Sequence, residues 1–173
     1  RNYIKPSKDV DGTSDASLGS LFTNSKVGFI PCTAQAVMEL LKFYNIELSG
    51  KNVLVSGRSL VIGKPLSMLM LNENATVTIA HSKTKDLKTI SKNSDIVVAA
   101  IGKKQMFDKD YFKDGQTVVD VGIHFDETIN KIVGDVNYDE VSKIVENITP
   151  VPGGVGSITT AILLAHLVDA VNK

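Results

Sequence analysis

The stretch Val53-Leu54-Val55-Ser56-Gly57-Arg58-Ser59-Leu60-Val61-Ile62-Gly63-Lys64-Pro65 most narrows what this chain can become. Val53 to Ser56 is short and mostly apolar or β-branched, the pattern of a strand buried on both faces. Gly57 permits a sharp turn. Gly63 lets the next helix pack closely on the strand, and Pro65 suits that helix's first turn, where no N–H is required. A helix starting beside a strand end presents free N–H groups to an anion. A phosphate loop of the nucleoside-triphosphate type does not fit. Five residues separate Gly57 from Gly63, and Pro65 stands where a magnesium-holding hydroxyl is needed. The turn is closer to a dinucleotide fingerprint lengthened by one residue, with Ser59 in the middle glycine's place.

The rest of the chain repeats the strand-helix unit. Residues 75–80, 95–101, 116–121 and 148–151 read as further strands. Helices are expected over 31–44, after the glycine turn through Leu66, Leu69 and Met70, around Leu87 and Ile90, within 136–145 and over 158–171. Thr33 is the expected N-cap of the first. This alternation predicts an α/β fold, a doubly wound, mostly parallel, Rossmann-like sheet with flanking helices. Residues 1–30 show little periodicity and read as a solvated loop carrying Lys8-Asp9-Val10-Asp11-Gly12.

Composition removes several classes. The 173 residues suffice for one domain with a real core. Lysine plus arginine balances aspartate plus glutamate at 19 each, so no nucleic-acid or membrane partner is expected. No apolar run approaches the length of a membrane span. The single cysteine, Cys32, rules out a disulfide framework and reads as a small buried residue. It fits a reducing, cytoplasmic location. The chain opens on Arg1 rather than Met, so a processed or truncated polypeptide is expected.

The end of the second strand bears on the cofactor. Enzymes that take NAD place an acid there to accept the ribose hydroxyls. Here the sequence is Ala80-His81-Ser82-Lys83-Thr84. Ser82 and Lys83 suit a 2′-phosphate, and Arg58 can pair with the same group. The residues therefore favour NADP. His81 reads as a strand-end residue shaping the pocket. His124 and His166 have no partners at ligand spacing, so no metal site is expected. Asp120-Val121-Gly122-Ile123 closes the fourth strand at the edge where such sheets bind ligands. In Val151-Pro152-Gly153-Gly154-Val155-Gly156 the glycines allow backbone groups to approach a flat ring.

These segments occur in the order of one family. Lys8-Asp9-Val10-Asp11-Gly12, Pro31-Cys32-Thr33, the glycine turn, His81-Ser82, Asp120-Val121-Gly122-Ile123, Gly134-Asp135-Val136 and Thr149-Pro150-Val151-Pro152-Gly153-Gly154-Val155-Gly156 span nearly the whole chain. The chain resembles methylenetetrahydrofolate dehydrogenase/cyclohydrolase. The resemblance implies an NADP cofactor contacted by Gly57, Arg58, Ser59, Ser82 and Ile123. It implies that Asp11 bonds the pterin of a methylenetetrahydrofolate substrate and that Pro152, Gly153, Gly154 and Val155 line the cleft. It implies a homodimer. Residues 1–30 would be a segment beside the folate cleft, and 31–173 an NADP-binding domain whose first and last helices bridge to an absent N-terminal domain. By the family's pattern that domain holds the catalytic Tyr and Lys of a Tyr-x-x-x-Lys motif, and no Tyr here has a Lys four residues on. The chain departs from the family at Ser157-Ile158 and Ala34-Gln35-Ala36, both beside the cleft or the bridging helices. Two other readings remain open at this point: a non-catalytic dinucleotide-binding module, and another NADP-dependent oxidoreductase on the same fold.

Overall fold

The structure is a computed structural model describing residues 3–172; Arg1 lies outside them. Five parallel strands form the central sheet in the order β2-β1-β3-β4-β7: β1 (Asn52–Ser56), β2 (Thr76–Ala80), β3 (Ile96–Ala99), β4 (Thr117–Asp120) and β7 (Asn147–Ile148). Register is tight around β1, where Ser56 faces Ala80 of β2 on one side and Ala99 of β3 on the other.

Alternation along β1 divides the core. Val53 and Val55 join Ile96, Val98 and Val119 beneath α2 (Cys32–Phe43), α3 (Gly63–Asn72) and α6 (Val155–Asn172). Leu54 joins Val97, Ala99 and Val118 on the opposite face, with Phe107, Phe112, Val141 and Val145, beside α4 (Leu87–Lys92) and α5 (Tyr138–Val141). Both faces are covered, which explains why these strands are apolar throughout. The expected doubly wound α/β fold is observed.

Several expectations need correction. Residues 1–30 are not all loop, because α1 (Asp15–Thr23) lies within them. Its buried positions are Ser17, Ser20 and Leu21, so two of the three are hydroxyl residues and no apolar stripe was visible. Ser14 caps it, accepting the Ser17 N–H, and Asp9 accepts from the Ser14 and Thr13 N–H groups and the Ser17 hydroxyl. α2 begins one residue before Thr33, with Pro31 as N-cap and no side-chain bond. A two-stranded antiparallel hairpin, β5 (His124–Asp126) with β6 (Lys131–Val133), follows β4. Three-residue strands are too short for periodicity to reveal. Lastly, α6 is 18 residues long and apolar enough to cross a membrane by length and composition. Sequence reading missed this because Thr159, Thr160, His166 and Asp169 interrupt the run. One face of α6 packs on α2 within the domain.

Candidate dinucleotide and cleft site

Chain order reverses at β1, which has β2 on one side and β3 on the other. Ligands of open α/β sheets bind outside the strand ends at such a point. The glycine turn sits there. Gly57 has φ 130°, and a Cβ on it would collide with the Ala100 carbonyl. A Cβ on Gly63 would strike the Gly57 carbonyl. Both glycines are therefore required by close approach, as the sequence suggested.

The turn is internally fixed. The Ser59 hydroxyl oxygen accepts the Ile62 N–H at 3.1 Å, and the Ser59 carbonyl accepts the Lys64 N–H at 3.0 Å. α3 starts at Gly63 with no side-chain bond from Ile62, its N-cap; Ser59 takes the Ile62 and Lys64 N–H groups and Pro65 has none, so Gly63 is the first-turn residue whose N–H remains for a ligand. Arg58 is exposed and, among the described residues, makes no ion pair.

Beside it, the turn after β2 is closed by Thr84, whose hydroxyl accepts the His81 N–H at 2.9 Å. His81 Nδ1 accepts the Lys83 N–H at 3.1 Å, which makes this histidine part of the turn. Ser82 and Lys83 are exposed at its tip.

A cleft of about 650 Å³ opens beyond the ends of β4 and β7. Val61 and Ile62 of the glycine turn line it, as do Thr33, Ile123, the turn from Pro152 to Gly154 and the start of α6 at Val155 and Gly156. The Val151–Pro152 peptide is cis, and Gly153 has φ 100°. A Cβ on Gly154 would meet the Pro150 carbonyl at 2.5 Å. Of the expected residues, Ile123, Pro152, Gly153, Gly154 and Val155 thus share one cleft, and the glycine turn borders it. Arg58, Ser59 and Ser82 belong to neighbouring strand ends. Asp11 stands apart, exposed beside the start of α2. Its carboxylate adjoins the Cys32 thiol, which burial first and then Asp11 push up to about 12. A larger groove, about 870 Å³, runs along α2 to Thr117 and Asn147 at the opposite strand ends. It runs along β4 and β7 and also reaches Pro150, Gly153 and Gly154.

Sequence reasoning missed the network that holds the cleft floor. Asp120 is buried and accepts N–H bonds from Gly122, Asp135 and Val136 at 2.9–3.0 Å. Asp135 accepts from Ile101, Gly102 and Lys103 N–H groups and pairs with His124 Nε2 at 2.8 Å. Side chains on Gly122 or Gly134 would overlap these carboxylates. The network ties the β3 loop and the hairpin to β4. Its signal was available in the glycines next to each acid.

Residues 31–173 match the family described as tetrahydrofolate dehydrogenase/cyclohydrolase, NAD(P)-binding domain. The chain belongs to that family. It is 53% identical over 171 residues to the bifunctional protein FolD of Carboxydothermus hydrogenoformans, covering 98% of this chain and 60% of that protein. For the FolD of Dictyoglomus thermophilum the identity is 52%, with 99% and 59% covered. The bifunctional FolD of Campylobacter jejuni superposes with a TM-score of 0.92 at 45% identity, over 98% of this chain and 60% of that one. The Trypanosoma brucei methylenetetrahydrofolate dehydrogenase-cyclohydrolase, solved with NADP and an inhibitor, gives 0.88 at 40%, over 96% and 59%. The chain therefore spans about three-fifths of the length of these FolD proteins. The glycine turn and the cleft lie within residues 31–173, the part that matches this NAD(P)-binding domain.

Proposed function

We propose that this chain is the NADP-binding part of a methylenetetrahydrofolate dehydrogenase and methenyltetrahydrofolate cyclohydrolase. The parent enzyme oxidises the methylene folate to its methenyl form and hydrolyses that to 10-formyltetrahydrofolate. The observation that carries this reading is one sheet edge. There an exposed Arg58 and Ser82 follow the adjacent ends of β1 and β2, and no carboxylate closes β2.

Arg58, Ser82 and Lys83 would hold the 2′-phosphate, with Gly57 and Ser59 against the rest of the dinucleotide. Ile123 would pack on it at the mouth of the cleft. Bound there, NADP supplies the hydride acceptor. The chain's own residues position: Pro152, Gly153, Gly154 and Val155 form a wall without bulky side chains, and Asp11 accepts hydrogen bonds from the pterin. The acid/base Tyr and Lys come from a preceding domain, to which α2 and α6 form the bridge. Residues 1–30 line the folate side and 31–173 the NADP side. A cytoplasmic homodimer belongs to the same reading, and Phe125, Ile129 and Ile132 supply exposed apolar surface for pairing.

The test compares the parent polypeptide with residues 1–173 alone. The parent is expected to form NADPH from methylenetetrahydrofolate and NADP, and the isolated chain to show no turnover. Sustained turnover by the isolated chain, or none by the parent, contradicts the assignment.

A further inference from the structure

His166 lies in the middle of α6, only 6% exposed, and nothing above gives it a role. Its Nδ1 is 2.8 Å from the Val10 carbonyl, and its Nε2 is 2.8 Å from Gln35 Oε1 on α2. The backbone carbonyl of Val10 only accepts, so Nδ1 donates to it; in a neutral ring Nε2 then accepts, which requires the Gln35 amide to turn its NH2 toward the ring. The ring also packs at 4.7 Å against Phe29. Held from α2 and Phe29, the imidazole has little freedom to move off Val10.

Val10 immediately precedes Asp11. A second donor, the Cys32 thiol, reaches the same carbonyl at 3.4 Å. Lys8 Nζ bonds the Ala170 carbonyl of α6 at 2.6 Å. On the other side Gly12, with φ 67°, presses so closely on residues 29–31 that a Cβ would overlap their backbone. Residues 8–12 therefore form a strap laid across α2 and α6. Asp11 is its exposed carboxylate, and His166 holds the peptide bond from which that residue projects.

Resting on the reading that Asp11 bonds the folate ring, we propose that His166 is a positioning residue: its Nδ1–H bond to the Val10 carbonyl fixes the Asp11 carboxylate for the substrate. The role is separate from cofactor binding, because the glycine turn and the Ser82 turn lie on other strand ends.

Steady-state kinetics of the parent enzyme test this. His166→Asn keeps an N–H near the Nδ1 position, whereas His166→Gln moves the amide toward Nε2 and loses the Val10 bond. His166→Gln is expected to raise KM for methylenetetrahydrofolate about tenfold. KM for NADP and kcat should stay within about twofold. His166→Asn should match the unaltered enzyme, and Asp11→Asn should raise the same KM. An unchanged folate KM in folded His166→Gln, with Asp11→Asn impaired, overturns the proposal alone. No effect of Asp11→Asn overturns the Asp11 reading and this proposal with it. Equal damage in the Asn and Gln variants, or a rise in both KM values, marks a packing role and overturns it too. If His166→Gln does not fold, folded His166→Asn decides: a folate KM near the unaltered value supports the proposal, and a tenfold rise overturns it.

Discussion

Asp120 shows how single side chains set the limits of this site. Three backbone N–H groups favour its ionised form, but burial outweighs them and pushes its carboxyl up to about 6 from 3.8. Between those values the folded chain holds a proton that the unfolded chain releases. Asp120 therefore makes stability fall as pH rises through that window. Asp120→Asn removes this slope and turns an amide N–H toward a backbone N–H. The substitution should cost about 2 kcal/mol by leaving one donor unpaired. Denaturant melts on both sides of the window should show the gap to the unaltered chain narrowing as pH rises; a gap that widens contradicts the assignment. Arg58 makes the opposite kind of prediction, since it supports nothing in the fold. Arg58→Ala should leave the melting temperature unchanged while weakening NADP binding by about 1.5–3 kcal/mol, the loss of a charge-assisted contact. An undiminished affinity in titration calorimetry contradicts its placement at the 2′-phosphate. Gly57 and Gly63 were legible in sequence because close backbone approach is the one physical reason for each. The links of His124 to Asp135 and of His166 to Val10 were not, because their partners lie 11 and 156 residues away.

At the scale of elements, legibility followed the source of periodicity. β1, β3 and β4 are apolar because both faces are covered, and α2 carries a clear stripe of Val37, Leu40 and Leu41. α1 escaped because it buries hydroxyls, and its order depends on one anchor. Burial raises the Asp9 carboxyl, but bonds from Ser14, Ser17 and Thr13 together leave it below its ordinary 3.8. Its contribution is therefore present above that value and lost as pH falls through the lower, folded one. Asp9→Ala strands two N–H groups and a hydroxyl, and should cost about 3 kcal/mol. Hydrogen exchange should quicken first at Thr13, Ser14 and the start of α1, with β1 and β3 still protected. Uniform loss of protection contradicts a local anchoring role.

At the scale of the molecule, the chain carries an NAD(P)-binding domain and spans about three-fifths of the length of the related FolD proteins. Its doubly wound sheet was legible from strand-helix alternation. The apolar surface of α6 was not, since Leu163, Leu164, Leu167 and Val168 remain exposed in the domain. The central claim is that this domain selects NADP, through Arg58 and Ser82 and the lack of an acid after β2. Titration calorimetry of residues 1–173 with NADP and with NAD measures that selection directly. NADP is predicted to bind tighter by about tenfold or more, the worth of a charge-assisted phosphate contact. Equal affinity for the two cofactors, or a preference for NAD, contradicts the account.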